Sequence, residues 1–163
     1  MHHFFTVVLL SPARVNPSYQ SDIIQEVQSL LERYDAQKEV NVREDDQGKL
    51  VPFNEDARWV TYQIGGEFSR LVNPDNMWAY TSVDERRDLN ENIINVDFIL
   101  GSDRLDKWTP AALVTPSGQW LEQSEPGMYG YYKMDEDPVW REKVREQLIK
   151  YKDCYAVGVD CAI

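Results

Sequence analysis

The side chains able to do chemistry in this 163-residue chain are few and lie near its two ends. His2 and His3 are the only histidines, and Cys154 and Cys161 the only cysteines. Neighbouring residues on a strand point to opposite faces, so His2 and His3 would not share a metal ion in the usual way. A Cys–His pair joining His3 to Cys161 or Cys154 would form only if the first and last segments are adjacent strands. The commoner role of such a thiol is that of a small buried apolar group. Asp160 stands beside Cys161 in an apolar run, and Asp97 stands between Val96 and Phe98. A buried carboxylate is costly unless paired. Each is therefore either a site residue with a displaced pKa or an acid that faces solvent or accepts bonds from a nearby loop. Arg58, Arg70 and Arg104 are the partners on offer, and spacing alone does not choose among them.

No G-x-S-x-G, C-x-x-C, H-E-x-x-H, P-loop or G-x-G-x-x-G pattern occurs, which removes the commonest nucleophilic, zinc and nucleotide classes. Gly65-Gly66-Glu67-Phe68 invites comparison with the Gly-Gly-(Asp/Glu)-Glu-Phe signature of diguanylate cyclases. That signature needs two consecutive acids, and here there is one. The expectation is therefore no catalytic residue, no metal and no cofactor. Aromatic residues are more suggestive: Trp59, Tyr62, Trp78, Trp108, Trp120, Tyr129, Tyr131 and Tyr132 fall largely in loops or at strand ends. There they either anchor a partner or ligand, or cap the open ends of a small core.

Seventeen basic and 28 acidic side chains leave a formal charge of −11, which argues against binding nucleic acid or anionic lipid. The excess is even: residues 1–81 hold 12 acids and 7 bases, and residues 82–163 hold 16 and 10. Its densest points are Glu44-Asp45-Asp46 and Asp135-Glu136-Asp137, in stretches poor in apolar residues. These read as solvated loops that aid solubility or as an acidic surface for a basic protein partner. The apolar fraction of 42 % suits a packed core. No apolar run approaches the length of a membrane span, and His2 to Leu10 lacks the features of a signal peptide.

These side chains must be positioned by a small set of elements, and the length fits one domain. His3 to Leu10 is β-branched, aromatic and almost wholly apolar, as in a strand buried on both faces. Ile23, Ile24, Val27, Leu30, Leu31 and Tyr34 mark one face of a helix over 22–34, with Asp22 and Gln25 as a capping box. Residues 35–58 read as a long surface excursion. Val60, Tyr62 and Ile64 alternate along a strand ending at Gly65-Gly66, and Ile93 to Leu100 alternates as a half-buried strand. Thr115-Pro116-Ser117-Gly118 joins two apolar runs as a hairpin. Asp137 and Pro138 open a second helix, striped by Trp140, Val144, Leu148 and Tyr151. Tyr155, Val157 and Val159 form a closing strand. On that strand the two cysteines would lie about 23 Å apart on opposite faces, too far for a disulfide. Free thiols, and a sole glycosylation-like triplet blocked by Pro17, favour the cytoplasm. The order predicts an α+β fold, ferredoxin-like or a related sandwich, with an antiparallel sheet and two helices on one face.

Four blocks in this order carry a family resemblance: Trp59-x-x-Tyr62-x-Ile64-Gly65-Gly66, Ala112-Leu-Val-Thr-Pro-x-Gly-x-Trp120, Gly127-Met-Tyr-Gly130 and Val159-Asp160-Cys161-x-Ile163. Together they resemble a family of small proteins of unassigned activity from bacteria and their phages. Its members carry Tyr-x-Ile-Gly-Gly-Arg-Trp, Val-Thr-Pro-Asp-Gly-x-Trp and a final Val-Asp-Cys-His-Ile. This chain departs from them at Glu67-Phe68, Ser117 and Ala162, so any family chemistry using that arginine or histidine would be lost. The resemblance implies a small cytosolic protein, often phage-borne.

The expected function is that of a non-catalytic acidic interaction protein, phage-encoded and modulating a host defence or nucleic-acid enzyme. An alternative is a small-ligand or enzymatic site near the Gly65-Gly66 turn and the last strand, using Asp160, Cys161, Tyr62 and Trp120; Trp59, Tyr62, Gly65, Gly66, Trp120, Tyr129, Asp160 and Cys161 together are the candidates for binding either a ligand or a partner. A structural or virion component is the third.

Overall fold

Seven of the eight residues of β1, His3–Leu10, are buried, as an apolar strand at the centre of a sheet must be. In the computed structural model, which describes residues 2–16, 18–74, 89, 91–123 and 137–163, β1 lies between two strands. β8, Tyr155–Ala162, runs antiparallel to it along its whole length, and β6, Ala112–Val114, runs parallel to it. β7, Trp120–Glu122, completes the hairpin with β6. The far side of β8 is covered by two short antiparallel strands placed end to end, β4, Thr61–Ile64, and β5, Ile93–Asn95. The sheet therefore runs β4-β8-β1-β6-β7, with β5 also on β8. The α+β class and its mostly antiparallel sheet agree with the sequence.

The two main helices lie on opposite faces, not on one. α1, Gln20–Leu31, buries Ile23, Val27, Leu30 and Leu31 against Phe4, Val8 and Leu10. α2, Val96–Leu100, α3, Arg104–Lys107, and α4, Pro138–Lys150, pack Val96, Ile99, Leu105, Trp140, Val144 and Leu148 against Phe5, Val7 and Leu9. Direction of travel explains the split. From β1 the chain passes β8 to reach β4, whereas from β5 it returns the other way to β6. β7 is antiparallel to β6, and α4 leads from it back to β8. Strand–helix–strand crossovers of one hand then send the first over one face and the other two over the opposite face.

Local chemistry sets the boundaries. α1 begins at Gln20 and has no side-chain cap; Asp22 lies in its first turn and instead accepts a bond from the Asn16 N–H at 3.1 Å. α4 begins as expected, with the Asp137 carboxylate accepting from the N–H groups of Val139 and Trp140. The bond from Trp140, above all, holds the Asp137 carboxyl below its usual range. The stretch 93–100 is not one strand. Ile93 and Ile94 are both buried, and Val96 and Ile99 then follow at helical spacing, which leaves Phe98 44 % exposed.

Residues 35–58 also hold more order than expected. β2, Asn41–Glu44, and β3, Leu50–Phe53, form a separate two-stranded sheet. Its turn is closed by Asp45 N–H to Lys49 O at 2.8 Å and Gly48 N–H to Asp45 O at 3.0 Å. Gly48 takes the left-handed conformation, φ 75°, that this three-residue hairpin loop requires. Among the described residues no helix is long and apolar enough to cross a membrane.

Candidate functional site

The register of β1 on β8 decides where the chemistry-bearing residues meet. His3 stands opposite Ala162, Phe4 opposite Cys161 and Phe5 opposite Asp160. Cys161 therefore shares the Phe4 face, while Asp160 and His3 share the Phe5 face. Although the first and last strands are neighbours, the cysteine–histidine pair does not form. His3 pairs with Asp160 instead, Nδ1 donating to Oδ1 at 2.7 Å.

Asp160 is 5 % exposed, so its charge must be met within the protein. Its second oxygen accepts the Glu67 backbone N–H at 2.9 Å. That bond is possible because Gly65 and Gly66 both take left-handed φ, 78° and 54°, and lay the short 3-10 turn Gly66–Phe68 over the carboxylate. A Cβ on Gly66 would overlap the Asp160 side chain, and one on Gly65 the Asn92 amide. With Nδ1 committed to Asp160, the other nitrogen of His3 faces outward, 3.7 Å from the Glu67 carboxylate. A buried carboxylate thus orients a half-exposed imidazole, an arrangement suited to proton transfer if a substrate were held at Nε2. The sequence offered Arg58, Arg70 and Arg104 as partners of Asp160. Arg58 pairs with Glu122, Arg70 with Glu91, and Arg104 donates to the Phe98 carbonyl. Asp97 is exposed on the first turn of α2.

On the opposite face, Cys161 is fully buried, and that burial pushes its thiol up to about 12, with the Asp160 charge adding and a Thr6 hydroxyl contact opposing. Tyr62 is raised by burial and by Cys161. Burial and Asp153 raise Cys154, which packs against the other face of the sheet. Both cysteines are free. Trp59 is buried, its indole N–H donating to the Leu31 carbonyl at 3.0 Å and its ring edge-on to Tyr62. Trp120 donates to Glu122 and packs on Tyr34 and Phe4. Tyr34 in turn donates its hydroxyl to the Gly118 carbonyl of the β6–β7 turn. These aromatics seal one end of the core. The proposed constellation is thus divided by the sheet, with Gly65, Gly66 and Asp160 on one face and Tyr62, Trp59, Cys161 and Trp120 on the other. Tyr129, Asp135, Glu136 and the Gly127–Gly130 block lie outside the described residues, as do Trp78, Tyr131 and Tyr132.

The first acidic cluster belongs to the β2–β3 hairpin, whose composition had not marked it as structured. Asp45 makes the turn, its carboxylate accepting from the N–H groups of Gln47 and Lys49 at 2.9 and 2.8 Å. Pairing sets Val42 opposite Pro52 and Glu44 opposite Leu50, so these four side chains share one face. Apart from Glu44 this face is apolar, and it is open: Val42 and Leu50 are 62 and 65 % exposed, and Pro52 is exposed beside them. Arg43 falls on the other face, where it stacks on Phe53. The weak signal in the sequence was Val40, Val42, Leu50 and Pro52 at period two on either side of Gly48, obscured by the proline and the charges.

No family model, curated protein or solved structure matches this chain.

Proposed function

We propose that this protein is a non-catalytic interaction protein that holds a protein partner through the outer face of the β2–β3 hairpin. The observation that carries this reading is the exposure of Val42, Leu50 and Pro52 together on one face of a two-stranded sheet separate from the main one. An isolated hairpin is marginally stable in water, and contiguous exposed apolar groups mark sites of association. Glu44 stands on that face across from Leu50, and the chain as a whole carries −11. A partner with an apolar strip and a basic margin complements both features. The resemblance to a phage-borne family directs the search to bacterial host proteins, a defence or nucleic-acid enzyme among them.

The test is a paired pull-down from host lysate at low and moderate salt, using wild type and the double variant Val42→Asp, Leu50→Asp. Both side chains are exposed, but the second change sets an acid directly across the ladder from Glu44, so the variant is also required to keep hydrogen-exchange protection at the Arg43 and Val51 amides. The wild type should retain a stoichiometric partner that the variant loses at unchanged Tm. Recovery of no partner by the wild type, or of the same partner by both, would overturn the reading.

The His3–Asp160 pair favours a second reading, a small-ligand site on the Phe5 face. A thermal-shift screen with nucleotides and divalent metals addresses it. A true ligand at 100 times its dissociation constant adds about 2.7 kcal/mol, and the gain should vanish in His3→Ala.

A further inference from the structure

We infer that the partner adds as an extended strand to the free edge of β2, an inference that rests on the hairpin reading above. The phase of the ladder carries it. The Asp45 N–H to Lys49 O bond makes Asp45 and Lys49 a hydrogen-bonded pair, so by antiparallel alternation Arg43–Val51 and Asn41–Phe53 are also such pairs. Val42–Pro52 and Glu44–Leu50 are then the intervening pairs, whose backbone polar groups point away from the partner strand. On β3 the outward group at Pro52 has no N–H, and a proline there blocks a strand from pairing. On β2 the outward groups are complete. Val42 and Glu44, both exposed, each present an N–H and a C=O to solvent, the template that strand addition uses.

The side chains on the open face state what the incoming segment must carry. Val42 asks for an apolar residue opposite it. Glu44, at the tip, asks for a lysine or arginine, because unlike charges directly across a ladder stabilise it. Of the two bases of the hairpin, Arg43 is held on Phe53 on the opposite face, and Lys49, paired with Asp45, falls on that same face by alternation. The open face therefore carries acid without base. The partner is a short extended peptide segment, apolar opposite Val42 and basic at its end.

The probe is the blocked heptapeptide acetyl-Lys-Thr-Val-Thr-Val-Thr-Lys-amide, which reads the same in either strand direction. Its binding to the full chain is followed by calorimetry and by hydrogen exchange at the Val42 and Glu44 amides. Binding should slow exchange at both amides. It should weaken about tenfold or more when glutamate replaces the lysines or when alternate peptide nitrogens are methylated. Val42→Pro, which removes an outward N–H without touching the β2–β3 ladder, should abolish it. The methylated peptide keeps the test decisive should that variant not fold. Equal binding of the methylated and unmethylated peptides, or slowed exchange elsewhere with Val42 and Glu44 unchanged, would overturn strand addition. If Val42→Asp, Leu50→Asp then still loses its protein partner, the docking face stands and only the edge inference fails. No binding of any peptide, together with no partner in the pull-down, would end both.

Discussion

Asp160 and Cys161 are neighbours in the chain with opposite surroundings, because β8 turns one toward each face of the sheet. The consequence for Cys161 is chemical silence. Thiolate is the reactive form, and a thiol held up to about 12 supplies almost none at neutral pH, so iodoacetamide should label Cys161 only after unfolding. The same shift links to stability. The folded state keeps a proton that the unfolded chain releases near its ordinary value of about 8.5. Stability is therefore complete below that value and declines as pH rises toward 12, and Tyr62, also raised, acts in the same direction at higher pH. Between pH 8 and 11 the urea midpoint of Cys161→Val should fall less steeply than that of the wild type; equal slopes would contradict the assignment. At Asp160 the prediction is loss of a polar network. Asp160→Leu strands the Glu67 N–H and the His3 ring nitrogen and should cost about 1–3 kcal/mol by urea unfolding. The sequence marked Asp160 as an acid needing a partner but gave no way to find His3, because their meeting depends on the register of strands 157 positions apart.

The elements that were legible are those whose local pattern and tertiary role agree. Continuous apolar β1, the Thr115–Gly118 turn and the Asp137-Pro138 start of α4 each carry a signal that no contact elsewhere overrides. Where role and pattern diverge, the reading fails. Residues 93–100 alternate in polarity, yet burial of Val96 and Ile99 on one side of a helix satisfies the same letters. Hairpin β2–β3 rests on turn chemistry at Asp45 and Gly48 and buries little, so its composition resembles a loop. β8 contains a further element-scale constraint. At Gly158 the edge passes from one partner segment to the next: Gly65 N–H donates to the Gly158 carbonyl, and Gly158 N–H donates to that of Asn92. A Cβ there would lie 2.8 Å from the Val72 side chain and 3.3 Å from the Phe5 ring. Gly158→Ala should destabilise by about 1–3 kcal/mol, read by denaturant unfolding; a change within 0.5 kcal/mol or so of zero would show that Val72 moves aside freely.

At the scale of the whole molecule, the crossover directions separate the helices onto two faces and leave β1 sheltered on both. Which face each helix covers was not readable from element order alone, because β4 and β5 lie beyond β8 and the chain must double back to reach β6. The acidic charge is spread over this frame, and its first cluster meets the apolar hairpin face that we assign to the partner. Hydrogen exchange of the complex with the captured partner tests that assignment most directly. Slowed exchange concentrated at residues 40–53, with the His3–Glu67 surface unchanged, is the predicted result. Slowed exchange at His3 and Glu67 with the hairpin unchanged would contradict it.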